Sequence, residues 1–345
     1  MLLKKTRIWN RFLIWFGILI LAGIFSACLG SADIPPSAVL KIIGAKLLNS
    51  NVSGDWSDSW ETIILQIRLP RIVLAGIVGS ALSMSGATYQ GLFRNPLADP
   101  YLIGVAAGAG LGATVVIVTE IPQYILGVNV LPIAAFIGAS LAVTVAYVVV
   151  HKSDELSLSS LVLAGVAVAS FAGSITALLM IRSDSEMRVV VSWLMGGLIG
   201  SQWHHSIIVL AYLIPSFFAI VCFTRIINIL QLGEEHARQV GVNVGIVKLI
   251  LIAAASLATA AAVSFSGLIG FVGLIAPHAV RLIWGADYRI MIPMAAMFGG
   301  VFLILADLVA RMIVTPTELP IGVVTAFCGA PFFLYLLRYR KKLMV

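Results

Sequence analysis

The sequence predicts an all-α polytopic membrane protein, a single transmembrane domain over residues 1–345 with about ten spanning helices, and three observations carry that reading. Of its 345 residues 60% are hydrophobic and only 11% charged, against roughly 25% charged in soluble domains, so polar side chains are too few to cover a water-facing surface. Apolar runs of about 20 residues, the length that crosses a bilayer, recur along the whole chain between short polar turns. Ten such runs use roughly 200 residues and leave little for a separate soluble domain. The third observation is charge. The 22 Lys and Arg give a net charge of +7, but they cluster at loops and termini, as positive-inside placement requires. They form no basic face with interleaved aromatics of the kind that binds nucleic acid.

Lys4, Lys5, Arg7 and Arg11 are followed by an apolar run to Leu29, within a first helix of about Ile8 to Leu29. That run exceeds a signal-peptide core and Phe25-Ser26-Ala27-Cys28 is a poor lipoprotein cleavage site, so the first span is uncleaved, with its N-terminus in the cytoplasm. Residues Ser31 to Trp60 form an outer loop around a short helix, with Pro35-Pro36 and the polar stretch from Asn49 to Asp58 as turn chemistry. The second span starts near Pro70, whose missing N–H costs nothing in a first turn, and stops at Arg94-Asn95-Pro96. The third, Val105 to Thr119, is short and glycine-rich, which lets neighbouring backbones approach. Leu131 to Val150 and Leu161 to Ile181 are the fourth and fifth, joined by the polar loop His151-Lys152-Ser153-Asp154-Glu155. Arg182 to His205, opening with Arg182-Ser183-Asp184-Ser185-Glu186, holds a helix lying at the outer surface. Ser206 to Phe223 is the sixth span, with a kink at Pro215.

A polar inner segment runs from Thr224 to Lys248, and the seventh span covers Leu249 to Gly267. Gly270, Gly273 and Pro277 break the next run, so it is a re-entry with a short eighth helix from Pro277; unwound backbone at membrane depth needs protein or a water-filled cavity around it. Asp287-Tyr288-Arg289 turns inside, Met291 to Ile313 is the ninth span, Thr315-Pro316-Thr317-Glu318-Leu319-Pro320 turns outside, and Gly322 to Leu337 is the tenth. Arg338-Tyr339-Arg340-Lys341-Lys342 then lies inside, so that 15 of the 22 basic residues are cytoplasmic and 7 external.

Few residues offer chemistry. Arg68 and Arg71, three apart and hence neighbours on one helical face, stand at the start of a span, where the positive end of the dipole disfavours arginine. They either snorkel to the interface or form a socket for carboxylates of an external protein. Arg311 follows Asp307 by four residues, so an intrahelical pair and a docking role are both open. Gly233-Glu234-Glu235-His236-Ala237-Arg238-Gln239-Val240-Gly241 is a short helix framed by glycines, its acids early and its base late, which suits a free-standing surface helix. It is either a solvated loop helix or a knob for a cytoplasmic partner. No phosphate-binding loop of the G-x-x-x-x-G-K-[ST] type occurs, so the chain carries no ATPase site. His151, His204, His205, His236 and His278 match no metal pattern, and His204-His205 are expected to point apart. Cys28, Cys222 and Cys328 have neither disulfide nor zinc spacing and are expected to be buried free thiols. Asp307 is the one good intramembrane acid, with Arg311 as a ready partner, which counts against an ion-coupled secondary transporter, the alternative reading.

RLPR at Arg68 to Arg71, SGATYQGLFRNPLADPYLIGVAAGAG at Ser85 to Gly110, GFVGLIAPHAVRL at Gly270 to Leu282, and ADLVAR with ELPIGVVTAFCGAPFF at Ala306 to Phe333 resemble the FecCD-type permeases of binding-protein-dependent ABC importers for iron-siderophores, haem and cobalamin. The resemblance covers about Glu61 to Leu337. It implies a homodimer in the bacterial-type cytoplasmic membrane, two cytoplasmic ATPase subunits that hold the ATP and Mg, one extracytoplasmic binding protein, and no cofactor on this chain. It implies that Arg68, Arg71 and Arg311 receive carboxylates of the binding protein, and that Leu230 to Val244 is the ATPase-coupling segment, through Gly233, Glu234, Glu235, His236, Ala237, Arg238 and Gly241. It further implies a translocation path along Leu161 to Ile181 and Gly322 to Leu337, with Ser170, Ser174 and Thr325 as candidate lining residues. The chelate itself would be recognised mainly by the binding protein.

Overall fold

The computed structural model describes every residue except Met1, Ser31, 49–55, Glu120, Gln123, Leu126, 152–157, Asp184, 315–316 and 341–345. Most of the polar stretch from Asn49 to Asp58, the loop residues Lys152 to Glu155, Asp184, Thr315-Pro316 and Lys341-Lys342 therefore lie outside the described residues, as do the side chains of Lys4, Lys5, Arg7 and His151.

The described residues form fifteen α-helices: α1 (Leu2–Cys28), α2 (Pro36–Leu47), α3 (Asp58–Thr62), α4 (Leu69–Phe93), α5 (Val105–Val118), α6 (Val130–His151), α7 (Leu158–Arg182), α8 (Met187–Leu194), α9 (Trp203–Cys222), α10 (Thr224–Leu230), α11 (Glu234–Gln239), α12 (Val244–Ser266), α13 (Val272–Trp284), α14 (Tyr288–Met312) and α15 (Ile321–Arg340). A π-turn (Ile63–Arg68) joins α3 to α4, and a 3₁₀ turn (Pro100–Ile103) leads into α5. Seven helical stretches are long and apolar enough to cross a membrane, and three shorter apolar ones, within α5, α13 and α15, bring the described spans to ten. A two-residue hairpin, β1 (Tyr124–Ile125) against β2 (Val128–Asn129), closes the α5–α6 connection; nothing in the sequence pattern announced it.

α4 is the axis of the bundle and packs on α14, α12 and α13, while α5 packs on α6 and α7. Close approach explains its small-residue composition. A Cβ on Gly79 would strike the backbone of Gly299 on α14, one on Gly299 would strike Ser83, and one on Gly86 would strike Gly273. Between apolar helices in lipid, such backbone contact replaces the missing hydrophobic drive to associate.

Two prolines inside this core are compensated by side chains. In the π-turn the N–H of Leu69 bonds the carbonyl of Ile64, five residues back; the next donor would be Pro70, which has none. Leu65 O instead accepts from the indole Nε1 of Trp203 at 3.0 Å. The second span thus runs helically from Asp58, well before the expected start at Pro70. Likewise α13 starts at Val272 and carries Pro277 inside it rather than at its head. The carbonyl four residues back, Gly273 O, accepts from Gln90 Nε2 at 3.4 Å. Freed backbone acceptors in a membrane helix are satisfied by neighbours in this way.

Candidate functional site

Two charged constellations stand at opposite ends of the bundle. Arg71 at the start of α4 meets the end of α14, whereas Gly91 near the end of α4 accepts from Gln231 beside α11. The 25 residues of α4 separate these ends by about 37 Å at 1.5 Å per residue.

At the first end, Arg71 Nε and Nη2 lie 2.9 and 2.8 Å from Asp307 Oδ1, and Nη1 donates to both oxygens of Glu318 at 3.1 and 2.8 Å. Arg311 Nε lies 3.1 Å from Asp307 Oδ2, an ion pair without hydrogen-bond alignment, while its Nη2 donates to Ser26 Oγ at 2.7 Å. Arg68 turns the other way. Its guanidinium donates to Ala27 O at 2.8 Å and Ala32 O at 2.6 Å, and lies against Gly30, where a Cβ would collide with it. Ala27 O belongs to the last turn of α1, so Arg68 supplies a donor and a positive charge to the negative end of that helix.

In this protomer the three arginines face protein rather than open water. Arg68, Arg71 and Arg311 are only 4, 7 and 6% exposed. Because the helix begins at Asp58, none of the two span-opening arginines sits at a helix N-terminus, and α1 and Asp307 provide what favours them. The pair also does not share one partner face: Arg68 engages α1 and Arg71 engages α14. Asp307, fully buried, holds two guanidiniums and is not available as a lone intramembrane acid. Glu318, named in the sequence only within the outer turn and the ELPIGVV segment and given no role, is the unassigned member of the cluster; its place in a polar turn next to a cationic helix end was the available signal.

At the second end, α11 stands between Gly233 (φ 121°) and Gly241 (φ 84°), conformations that glycine alone adopts freely. Ala237 is buried beneath it, whereas Glu235, His236 and Arg238 are exposed, along with the flanking Leu232 and Val240. Glu234 accepts from Lys248 Nζ at 2.7 Å. Lys248 lies in the second turn of α12 and is 3% exposed; a lone cation inside an apolar helix needs an acid nearby, a signal the sequence carried and the motif reading passed over. Asn228 of α10 donates to Asp287 Oδ1 at 2.8 Å and accepts from the N–H of Tyr288 at 3.0 Å, fastening this segment to the head of α14. The Arg289 guanidinium, 2.6 Å from Asp287, holds that carboxyl down at about 2.

The remaining candidates divide. Ser170 and Ser174 lie on the exposed face of α7, with Ser174 Oγ donating to Ser170 O at 2.9 Å. Thr325 is fully buried and donates to Gly322 O at 3.1 Å, so it lines no open surface; the backbone behind it is packed against Met195 and Leu268. The face of α15 instead borders an open groove of about 590 Å³ lined by Met195, Leu268, Phe271, Val323, Ala326 and Phe327. Cys222 and Cys328 are exposed rather than buried, because apolar runs that face hydrocarbon need no protein cover. His204 and His205, expected to point apart, have ring centroids 4.3 Å apart; His205 bends back to accept from the N–H of Gln202 at 3.2 Å.

A ten-span helical bundle with glycine-mediated contacts, internally neutralised charge at one end and a projecting charged helix at the other defines a membrane transport protein. The sequence profile of the FecCD transport family matches residues 18–339, and this chain belongs to that family. It is 47% identical over 284 residues, 82% of this chain and 75% of the relative, to the cobalamin import system permease protein BtuC of Halobacterium salinarum. It is 40% identical to the hemin transport system permease protein HmuU of Yersinia pestis, covering 83% and 86% of the two chains. It is 34% identical to the Fe(3+)-citrate import system permease protein YfmE of Bacillus subtilis, covering 98% of each. Among solved structures, an inward-facing metal-chelate type ABC transporter superposes with a TM-score of 0.83 at 27% identity, over 95% of this chain and 99% of that one.

Proposed function

We propose that this chain is the permease subunit of an ATP-binding-cassette importer that moves a metal chelate across the cytoplasmic membrane by alternating access. The observation that carries the proposal is α11, a six-residue helix too short to be stable alone, set between two positive-φ glycines, seated on the bundle through Ala237 and the Glu234–Lys248 pair, and presenting Glu235, His236 and Arg238 outward. That is the form of a knob for a partner's cleft. ATP and Mg are bound by two cytoplasmic ATPase subunits seated on α11, and both termini lie on that side. The relatives' printed substrates, cobalamin, hemin and Fe(3+)-citrate, support a chelate as cargo.

A second copy of the chain completes the path. The α7 and α15 faces leave Leu163, Phe171 and Phe327 at least 70% exposed, and Phe327 lines the groove along α15. At the other end, Arg68, Arg71 and Arg311 receive carboxylates of an extracytoplasmic binding protein, with Arg71 the nearest to exchange because one of its two counterions is partly exposed. An ion-coupled mechanism is disfavoured by Asp307, whose charge is already held by two arginines.

The test reverses charge on α11. Glu235→Lys with Arg238→Glu should abolish retention of the ATPase subunit through purification and stop ATP-driven uptake in proteoliposomes while leaving the permease monodisperse. Unchanged retention and uptake would refute coupling through this helix.

A further inference from the structure

Glu318 is the odd member of the arginine cluster. Asp307 is rooted in α14 and its side chain is 1% exposed, whereas the Glu318 side chain lies in the α14–α15 connection and is 30% exposed. The two acids divide Arg71 between them: Asp307 takes Nε and Nη2, and Glu318 takes Nη1 through both of its oxygens. The buried leg is fixed by geometry and by the cost of leaving a charge unpaired in a dry site. The outer leg is in contact with water, where ion pairs exchange readily. An anion approaching Arg71 from solvent therefore meets the position that Glu318 already fills.

The segment that follows is fastened by backbone bonds to three places. Leu319 N–H donates to Ala310 O of α14 at 3.1 Å, Ile321 N–H to Gly196 O at 2.9 Å, and Gly322 N–H to Met195 O at 3.1 Å. The last two bonds sit at the head of α15, beside the open groove. Glu318 is the residue immediately before this strap, and its side chain adds a fourth tie, to Arg71, at the strap's start.

We propose that Glu318 is a built-in stand-in for a partner's carboxylate: the acidic face of the extracytoplasmic binding protein displaces it from Arg71 Nη1 and thereby removes the side-chain tie at the start of the strap leading into α15. The proposal rests on the docking reading above and adds to it a displaced residue and a route inward. Docking exchanges one carboxylate for another beside Arg71 and so leaves the charge around that guanidinium unchanged. Each exchange returns Glu318 to water, where its desolvation cost is recovered.

The experiment uses the permease assembled with its ATPase subunits in lipid nanodiscs, and as probe its extracytoplasmic binding protein. Glu318→Ala and the isosteric Glu318→Gln should each lower the Kd for the binding protein roughly two- to fivefold, the range an exposed ion pair supplies. Both should also speed modification of Arg71 by a membrane-impermeant phenylglyoxal, followed by peptide mass spectrometry on the permease without binding protein. Unchanged or weaker binding in both variants, or unchanged Arg71 labelling, overturns the stand-in. Arg68→Gln and Arg71→Lys separate this from the underlying reading. If those two also leave the Kd unchanged, docking at the arginines is itself refuted; if they weaken it while the Glu318 variants do nothing, only the stand-in falls.

Discussion

Arg71 and Asp307, 236 residues apart in the chain, meet at 2.8 Å where the start of α4 crosses the end of α14. Asp307 is also the counterion of Arg311, so one fully buried carboxylate answers for two guanidiniums.

Asp307→Asn should therefore be among the most damaging single substitutions. It leaves two buried cations with one partly exposed acid, Glu318, and removing one partner of a buried pair costs about 3–5 kcal/mol. The measurement is thermal unfolding in detergent followed by intrinsic fluorescence, with Glu318→Gln as the mild comparison at about 1 kcal/mol or less.

Trp203→Phe should destabilise the π-turn by about 1 kcal/mol, since it removes the indole donor from a carbonyl that Pro70 cannot serve. Pro70→Ala restores a backbone donor beside Leu65. The double variant should then lose less stability than the sum of the singles, and strict additivity would show that the indole and the proline are not linked.

Gly79→Leu and Gly299→Leu should each prevent normal packing of α4 on α14, because the obstacle is backbone or a short Ser83 side chain that cannot move away. Size-exclusion chromatography reads the result as loss of the monodisperse peak. Gly44→Ala, where a Cβ meets nothing within 4 Å, should leave it intact.

Glu234→Gln should loosen α11 more than Lys248→Met does. The first keeps the buried ammonium and removes its carboxylate; the second removes the buried charge and leaves an acid that can turn to water. Hydrogen exchange over 234–239 is the readout, with faster exchange in both and the larger change in the glutamine variant.

Acid should release the α10–α14 tie. Asp287, near 3.9 when unfolded, is held at about 2 by Arg289 first and Asn228 after it. A depressed carboxyl contributes stability that is complete above pH ~4 and is lost as pH falls through about 2. Asp287→Asn should flatten that acid limb of the melting temperature against pH by lowering the neutral range toward the acid value.

Much of this architecture was legible from hydropathy and punctuation. The ten spans follow the apolar runs, with α4 ending at Arg94-Asn95-Pro96 and α12 and α13 at Gly267 and Gly285, and the observed α5, α9 and α14 ends lie within three residues of the expected ones. Prolines misled at Pro70 and Pro277, because sequence shows the missing N–H but not the Trp203 and Gln90 side chains that replace it. The arginines misled for a similar reason. Their charge and position were plain, but whether a guanidinium faces water or a carboxylate hundreds of residues away is a tertiary fact. α11 was legible because its cause is local: two glycines and a charge order over nine residues. The hairpin at Tyr124–Asn129 and the burial of Thr325 depend on neighbours that no short window contains.

The Arg71–Asp307 contact also sets an order of events during synthesis. At about 5–20 residues per second the ribosome needs roughly 12 to 50 seconds to travel from Arg71 to Asp307. Throughout that interval α4 has been delivered without its acid, and α1 is already in place to receive Arg68. The N-terminal half of the protein therefore waits, incompletely neutralised, for the ninth span to arrive, and a nascent chain cut short before α14 would carry its own mark for disposal in a bare arginine.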